Sequence, residues 1–245
     1  MNIYSKSISD VNFISAIAPA LLKHSREYRV LATLRYLFPG RFENMIVADA
    51  PDLQDGSIGI EVVAAVKNED AQAERLFSYY HNPRPNESPA TYKEGIEALG
   101  YSIQDSGTAP ILVAPLGDTN CEELVIKNAI RKKTAKTKRY RSKCASLGLA
   151  LILPEIPTSE AESNIPLWIQ QAIPSNDDKF DFVFVICERF CIYYDGAANH
   201  SSRLPINAEE NQRLQKIGRM TAEGKLTIGS PEWTIIMPEA PGIKC

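Results

Sequence analysis

Three stretches of this chain are apolar on both of the faces that a strand presents: Ser57 to Val66 (SIGIEVVAAV), Leu147 to Leu153 (LGLALIL) and Phe180 to Ile186 (FDFVFVI). Strands with one wet face alternate apolar and polar residues, whereas runs without alternation belong to strands covered on both sides. All three are strand-length, well short of the roughly 18 residues that a membrane-spanning helix needs, so no membrane association is expected. Helical spacing fills the intervals. Val30, Leu31, Leu34, Leu37 and Phe38 mark a helix within Ile14 to Phe38, broken near Pro19 and stopped by Pro39-Gly40. Asn68 to Tyr80, Thr91 to Leu99 and Cys121 to about Ala145 are further predicted helices. Helices alternating with buried strands predict an α/β fold, a central mixed β-sheet flanked by helices.

At 245 residues the chain exceeds the domain prior of about 150. It reads as a single domain over 1–245 with an insertion at about 79–120, opened by the proline-rich His81 to Pro89, and a C-terminal extension from about 206. That extension reads as one helix and a short strand, TIIM. Met45-Ile46-Val47 and the Asp55-Gly56 turn signal predict a hairpin ahead of the first buried strand, and Pro110 to Ala114 a further strand.

Acids outnumber bases 30 to 27, so bulk charge points to no nucleic-acid partner and a local patch would be required. Five cysteines form no CxxC pair, and three scattered histidines give neither HxxxH nor HExxH spacing. The expectation is reduced thiols in a cytoplasmic protein with no histidine-based metal centre and, from Met1 to Leu22, no secretory signal. Cys187 and Cys191, placed on one strand face, and the pair Tyr193-Tyr194 are expected to pack in the core.

Glu61 needs an explanation. A carboxylate in the middle of SIGIEVVAAV costs several kcal/mol to desolvate as an ion unless a cation, a proton or a hydrogen-bond donor compensates. It could face solvent at a strand edge, or pair with an arginine such as Arg35. Alternatively it could share a cation with Asp52, nine residues earlier, because two carboxylates and a backbone carbonyl suffice for Mg²⁺ or Mn²⁺ with its waters.

Lys127 to Lys143 holds nine of the 27 basic residues and no acid. Helices built for solubility mix charge signs. On one continuous helix Lys132, Lys136, Arg139 and Lys143 share a face with Lys127 and Arg131 nearby, a stripe suited to a phosphate backbone.

Pro51-Asp52, a hairpin-length spacer and IGIEVV over 58–63 together resemble the PD-(D/E)xK nuclease superfamily, in the branch whose second motif begins E-V. Glu27 in the preceding helix, and a lysine-rich helix with a tyrosine (IRKKTAKTKRY, Ile130 to Tyr140) ahead of a buried strand, extend the resemblance from Glu27 to Leu153. The resemblance implies a restriction-endonuclease-like core and metal-dependent phosphodiester hydrolysis, most naturally of DNA. In it Asp52, Glu61, the Val62 carbonyl and Glu27 would hold Mg²⁺ or Mn²⁺. The lysine expected two residues after the glutamate is Val63 here. Lys67 has the right parity but lies roughly 20 Å further along the strand, which leaves Lys133 or Lys136 of the basic helix as substitutes. The alternatives are a catalytically inactive nucleic-acid-binding protein of the same fold, or a regulatory protein whose basic stripe meets an acidic protein. RNA versus DNA stays open, and no feature assigns an oligomeric state.

Overall fold

The computed structural model describes residues 18–105, 110–113, 122–153, 157–176 and 178–240. Expectations for 14–17, Ala114, Cys121 and Cys245 lie outside the described residues. The chain forms two compact units, one of Met1–Leu22 with Lys67–Asp118 and a larger one of Lys23–Val66 with Thr119–Cys245. The insertion expected at about 79–120 overlaps the smaller unit, which takes in the helix ahead of it as well.

A 3₁₀ turn over Pro19–Leu21 precedes α1 (Leu22–Leu37), which enters the larger unit at Lys23. Then follow β1 (Ile46–Val47), β2 (Leu53–Gln54) and β3 (Ile58–Ala64). The Asp-Gly signal makes the turn between β2 and β3. Gly56 takes φ +90°, and Asp55 Oδ1 accepts the N–H groups of Ser57 and Ile58 at 2.9 and 2.7 Å.

The smaller unit interrupts the chain after β3. Its helices α2 (Asn68–His81) and α3 (Pro89–Ala98, N-capped by Ser88) and its antiparallel pair β4 (Ser102–Asp105) and β5 (Pro110–Val113) close over Ala73, Phe77, Ile96 and Tyr101. Lys67 is the N-cap residue of α2 and lies beyond the end of β3.

The larger unit resumes with α4 (Glu122–Thr134), α5 (Thr137–Arg141), β6 (Ser146–Ile152), α6 (Ser159–Ala172) and β7 (Phe182–Ile186). It ends in β8 (Phe190–Asp195), β9 (His200–Pro205), α7 (Ala208–Ala222) and α8 (Pro231–Ile236). Its seven-stranded sheet runs β1-β2-β3-β6-β7-β8-β9, with β3, β6 and β7 parallel and the flanking pairs antiparallel. The fold is thus mixed α/β, and the three both-face apolar runs are its three parallel strands.

Successive strand residues point to opposite faces. Ile60, Val62, Ala150, Ile152, Phe182 and Phe184 pack with α1, α7 and α8. Leu149, Leu151, Val183 and Val185 pack with Ile126 and Ile130 of α4, Tyr140 of α5, and Ile165 and Ile169 of α6. Each such side chain, removed from water, contributes about 1.5–3 kcal/mol before the entropy of ordering is subtracted. Glu61, between Ile60 and Val62, faces α4 and α5.

Three expectations are corrected. The helix predicted over Cys121 to Ala145 is two, because Thr134 and Thr137 turn their hydroxyls onto the Ile130 and Thr134 carbonyls at 2.9 and 2.7 Å where the helix breaks. TIIM is not a strand: Ser230 caps the Trp233 N–H and α8 takes in Thr234 to Ile236. Cys187 and Cys191 are buried thiols, but they belong to opposite faces, since the chain reverses between β7 and β8. Among the described residues, no helix is long and apolar enough to cross a membrane.

Candidate active site

The peptide bond before Pro51 is cis, and the proline ring rests against β3 at Gly59. A Cβ at Gly59 would lie 2.4 Å from Pro51 Cγ and 2.8 Å from Cys144 Sγ, so only glycine lets both approach the strand. This seat delivers Asp52 to the sheet, where its Oδ2 accepts the Val62 N–H at 2.8 Å. Asp52 is buried, and the backbone beside Glu61 fixes its carboxylate.

Glu61, 3% exposed, is enclosed by three donors from the α4–α5 segment. Lys133 Nζ and Lys136 Nζ lie 2.6 and 2.8 Å from Oε1, and the Tyr140 hydroxyl donates to Oε2 at 2.7 Å. Residues 133, 136 and 140 keep helical spacing across the break, which puts all three on one side. Burial by itself would raise the Glu61 pKa, but the two ammonium groups and the phenol outweigh it and hold the carboxyl below the usual range. Reciprocally, Glu61 raises Lys136, while burial and Glu61 together raise Tyr140. Arg35 is not the partner: its guanidinium spans the carbonyls of Phe42, Glu43 and Met45.

A second cluster lies on the side of α1. Lys23 Nζ is 2.9 Å from Glu27 Oε1 and 3.0 Å from Asp52 Oδ1, and His24 Nδ1 is 2.7 Å from Glu27 Oε2. Burial disfavours the Lys23 charge, yet the two acids keep its pKa above the ordinary lysine value. Glu27 is 1% exposed, and its Oε1, though in charge-to-charge contact with Lys23, meets no hydrogen-bond donor in good geometry. Two buried acids with hard oxygen donors, one of them under-satisfied, fit Mg²⁺ or Mn²⁺. Among the described residues, no group of three or more His, Cys, Asp or Glu side chains gathers closely enough to hold a metal ion. Asp52 and Glu61 meet different donors, the Val62 N–H and Lys23 at Asp52 and Lys133, Lys136 and Tyr140 at Glu61, and at Val62 it is the N–H that engages Asp52.

The basic segment divides in a similar way. Lys127 is tied to Glu123 and to Gln171, the latter at 2.5 Å, and Lys143 donates to the Ala50 carbonyl at 3.1 Å. Arg141 forks onto Asp181, and the Arg139 guanidinium lies 5.3 Å from the Tyr140 ring centroid. Arg131 and Lys132 are exposed in the last turn of α4. One continuous helical stripe does not form, because the helix breaks and Lys133 and Lys136 meet Glu61.

Lys23 and the role of Tyr140 escaped the sequence reading. Lys23 stands four residues before Glu27, the spacing of a helical ion pair, and could have been found on that ground. Nothing local links Tyr140 to a residue 79 positions away. Compared with protein-family models, curated proteins and solved structures, the chain matches none.

Proposed function

We propose that the protein is a divalent-cation-dependent nuclease acting on DNA, in keeping with the resemblance of its PD and E-V motifs to the PD-(D/E)xK superfamily. The observation that carries this reading is the convergence on Glu61 of two lysine ammonium groups from another element, one residue along β3 from the N–H that fixes Asp52. A lysine near the acids is what the Val63 position lacks, and α4 and the turn after it supply two.

In this reading Asp52, with Glu27 or Glu61, would hold Mg²⁺ or Mn²⁺, which supplies an activated water and neutralises charge on the scissile phosphate. The protein's own groups do the rest. The Val62 N–H orients Asp52, and Tyr140 and Lys133 orient Glu61. Lys136, 45% exposed against 17% for Lys133, is the ammonium placed to reach a phosphate oxygen or the attacking water. Arg131 and Lys132 are available to neighbouring phosphates.

A second reading, a nucleic-acid-binding protein without catalysis, is favoured by one observation: both Glu61 oxygens are already engaged by Lys133, Lys136 and Tyr140. Plasmid and single-stranded DNA incubated with Mg²⁺ or Mn²⁺ separate the two. The nuclease reading expects cleavage that Asp52→Ala and Glu61→Ala abolish. Salt-sensitive DNA retention without cleavage under either metal supports the binding protein instead.

A further inference from the structure

The two acids of the α1 cluster are arranged alike. Each has one oxygen fixed by the protein: Asp52 Oδ2 by the Val62 N–H and Glu27 Oε2 by His24. Each turns its other oxygen to the same ammonium, Asp52 Oδ1 at 3.0 Å and Glu27 Oε1 at 2.9 Å from Lys23 Nζ. The acids are 5% and 1% exposed, so their positions are set by the core, whereas Lys23 is 62% exposed and reaches in from solvent on a flexible stem. One positive charge faces two carboxylates, and Glu27 Oε1 still lacks a donor in good geometry.

Resting on the cation-dependent reading above, we propose that Lys23 is the resident counter-ion of a divalent-cation site formed by Glu27 and Asp52, and that its ammonium swings out when Mg²⁺ or Mn²⁺ binds. A +2 ion would balance both acids where the ammonium balances one, with Glu27 Oε1 and Asp52 Oδ1 as the oxygens placed to hold it. The lysine would keep the acids from repelling each other while the metal is absent and would set the metal concentration at which the site fills. This arrangement centres the cation on Glu27 and Asp52, two of the ligands that the family resemblance implies.

The test is calorimetric titration of the full chain with Mn²⁺, comparing wild type, Lys23→Met, Lys23→Arg and Asp52→Asn. Removing a competing, partly exposed ion pair should tighten Mn²⁺ binding about five- to tenfold in Lys23→Met. Lys23→Arg should stay within about twofold of wild type, since the competing charge persists, and Asp52→Asn should lose the site. Unchanged or weaker Mn²⁺ affinity in Lys23→Met, with binding still dependent on Asp52, overturns the role of Lys23 and leaves the nuclease reading intact. Absence of Mn²⁺ binding in both wild type and Lys23→Met overturns the two together. Should Lys23→Met fail to fold, reductive ¹³C-methylation of the wild type replaces it. The Lys23 signal, assigned by its loss in Lys23→Arg, should shift towards that of a solvated lysine as Mg²⁺ is added, and a signal that stays put at high Mg²⁺ overturns the proposal.

Discussion

Glu61 and Asp52 are buried carboxylates held a residue apart along β3, yet they are neutralised in opposite ways. Glu61 has three donors drawn from a segment 72 to 79 residues downstream, and two of them, Lys133 and Tyr140, are themselves largely withdrawn from water. Asp52 has one backbone N–H and a single lysine whose side chain is mostly in solvent. A buried acid met by buried donors braces the elements it joins, because separating them strands a charge on each side. An acid met by an exposed cation can exchange that cation for another. The same residue type therefore serves as a strut where buried donors meet it and as a replaceable contact where an exposed lysine does.

The sharpest way to break this contrast is to remove the strut. Glu61→Ala should destabilise the protein by about 3–5 kcal/mol, since it leaves Lys133 and the Tyr140 hydroxyl without their partner. Asp52→Asn keeps the volume and should cost about 1 kcal/mol. Denaturant titrations compared at equal slope check both, and equal losses would dissolve the distinction.

Gly59→Ala probes the seat that carries Asp52 to the sheet. The new methyl would press on Pro51 and Cys144, an overpacking expected to cost about 1–3 kcal/mol. It should shift Asp52 while leaving Lys133, Lys136 and Tyr140 on Glu61, so it should weaken Mn²⁺ binding more than Glu61→Gln does. Calorimetry on the two variants checks the ranking.

The smallest effect is that of pH. The Glu61 pKa is lowered by folding, so the unfolded chain takes up this proton first on acidification. Its contribution is complete above the unfolded carboxylate value, about 4.3, and is lost as pH falls through the lower folded value. Stability measured from pH 6 to pH 3 should fall more steeply in wild type than in Glu61→Gln, and parallel curves would show that the lysines do not hold the charge.

The architecture was legible in the sequence where signals are local. The three unalternating runs gave the parallel strands, the Asp-Gly pair gave its turn, and Pro39-Gly40 gave the end of α1. Strands β8 and β9 went unread, since FCIYYD follows a buried strand so closely that its aromatics pass for packing, and HSSRLP is a polar edge strand with little alternation. Within the site, composition identified Glu61 as the residue in need of a partner but could not say which. Choosing Lys133 and Lys136 over Arg35 depended on family resemblance, because a contact across 72 residues leaves no trace in spacing.

That separation also bears on how the chain assembles. Between Glu61 and its lysines the chain builds the whole stretch Lys67–Asp118, and β3 then pairs in parallel with β6, Ile58 opposite Ser146. Loop closure grows only logarithmically with length, so halving this excursion would reduce its cost by about 0.6 kcal/mol, and the fold carries the inserted unit with little thermodynamic penalty. The order of events is constrained more tightly. During synthesis the Glu61 carboxylate emerges long before Lys133, Lys136 and Tyr140, and a lone acid resists burial until they arrive. Strand β3 thus completes its packing late, when α4 and α5 close over it, while the compact contacts among Ala73, Phe77, Ile96 and Tyr101 can form from nearby chain alone.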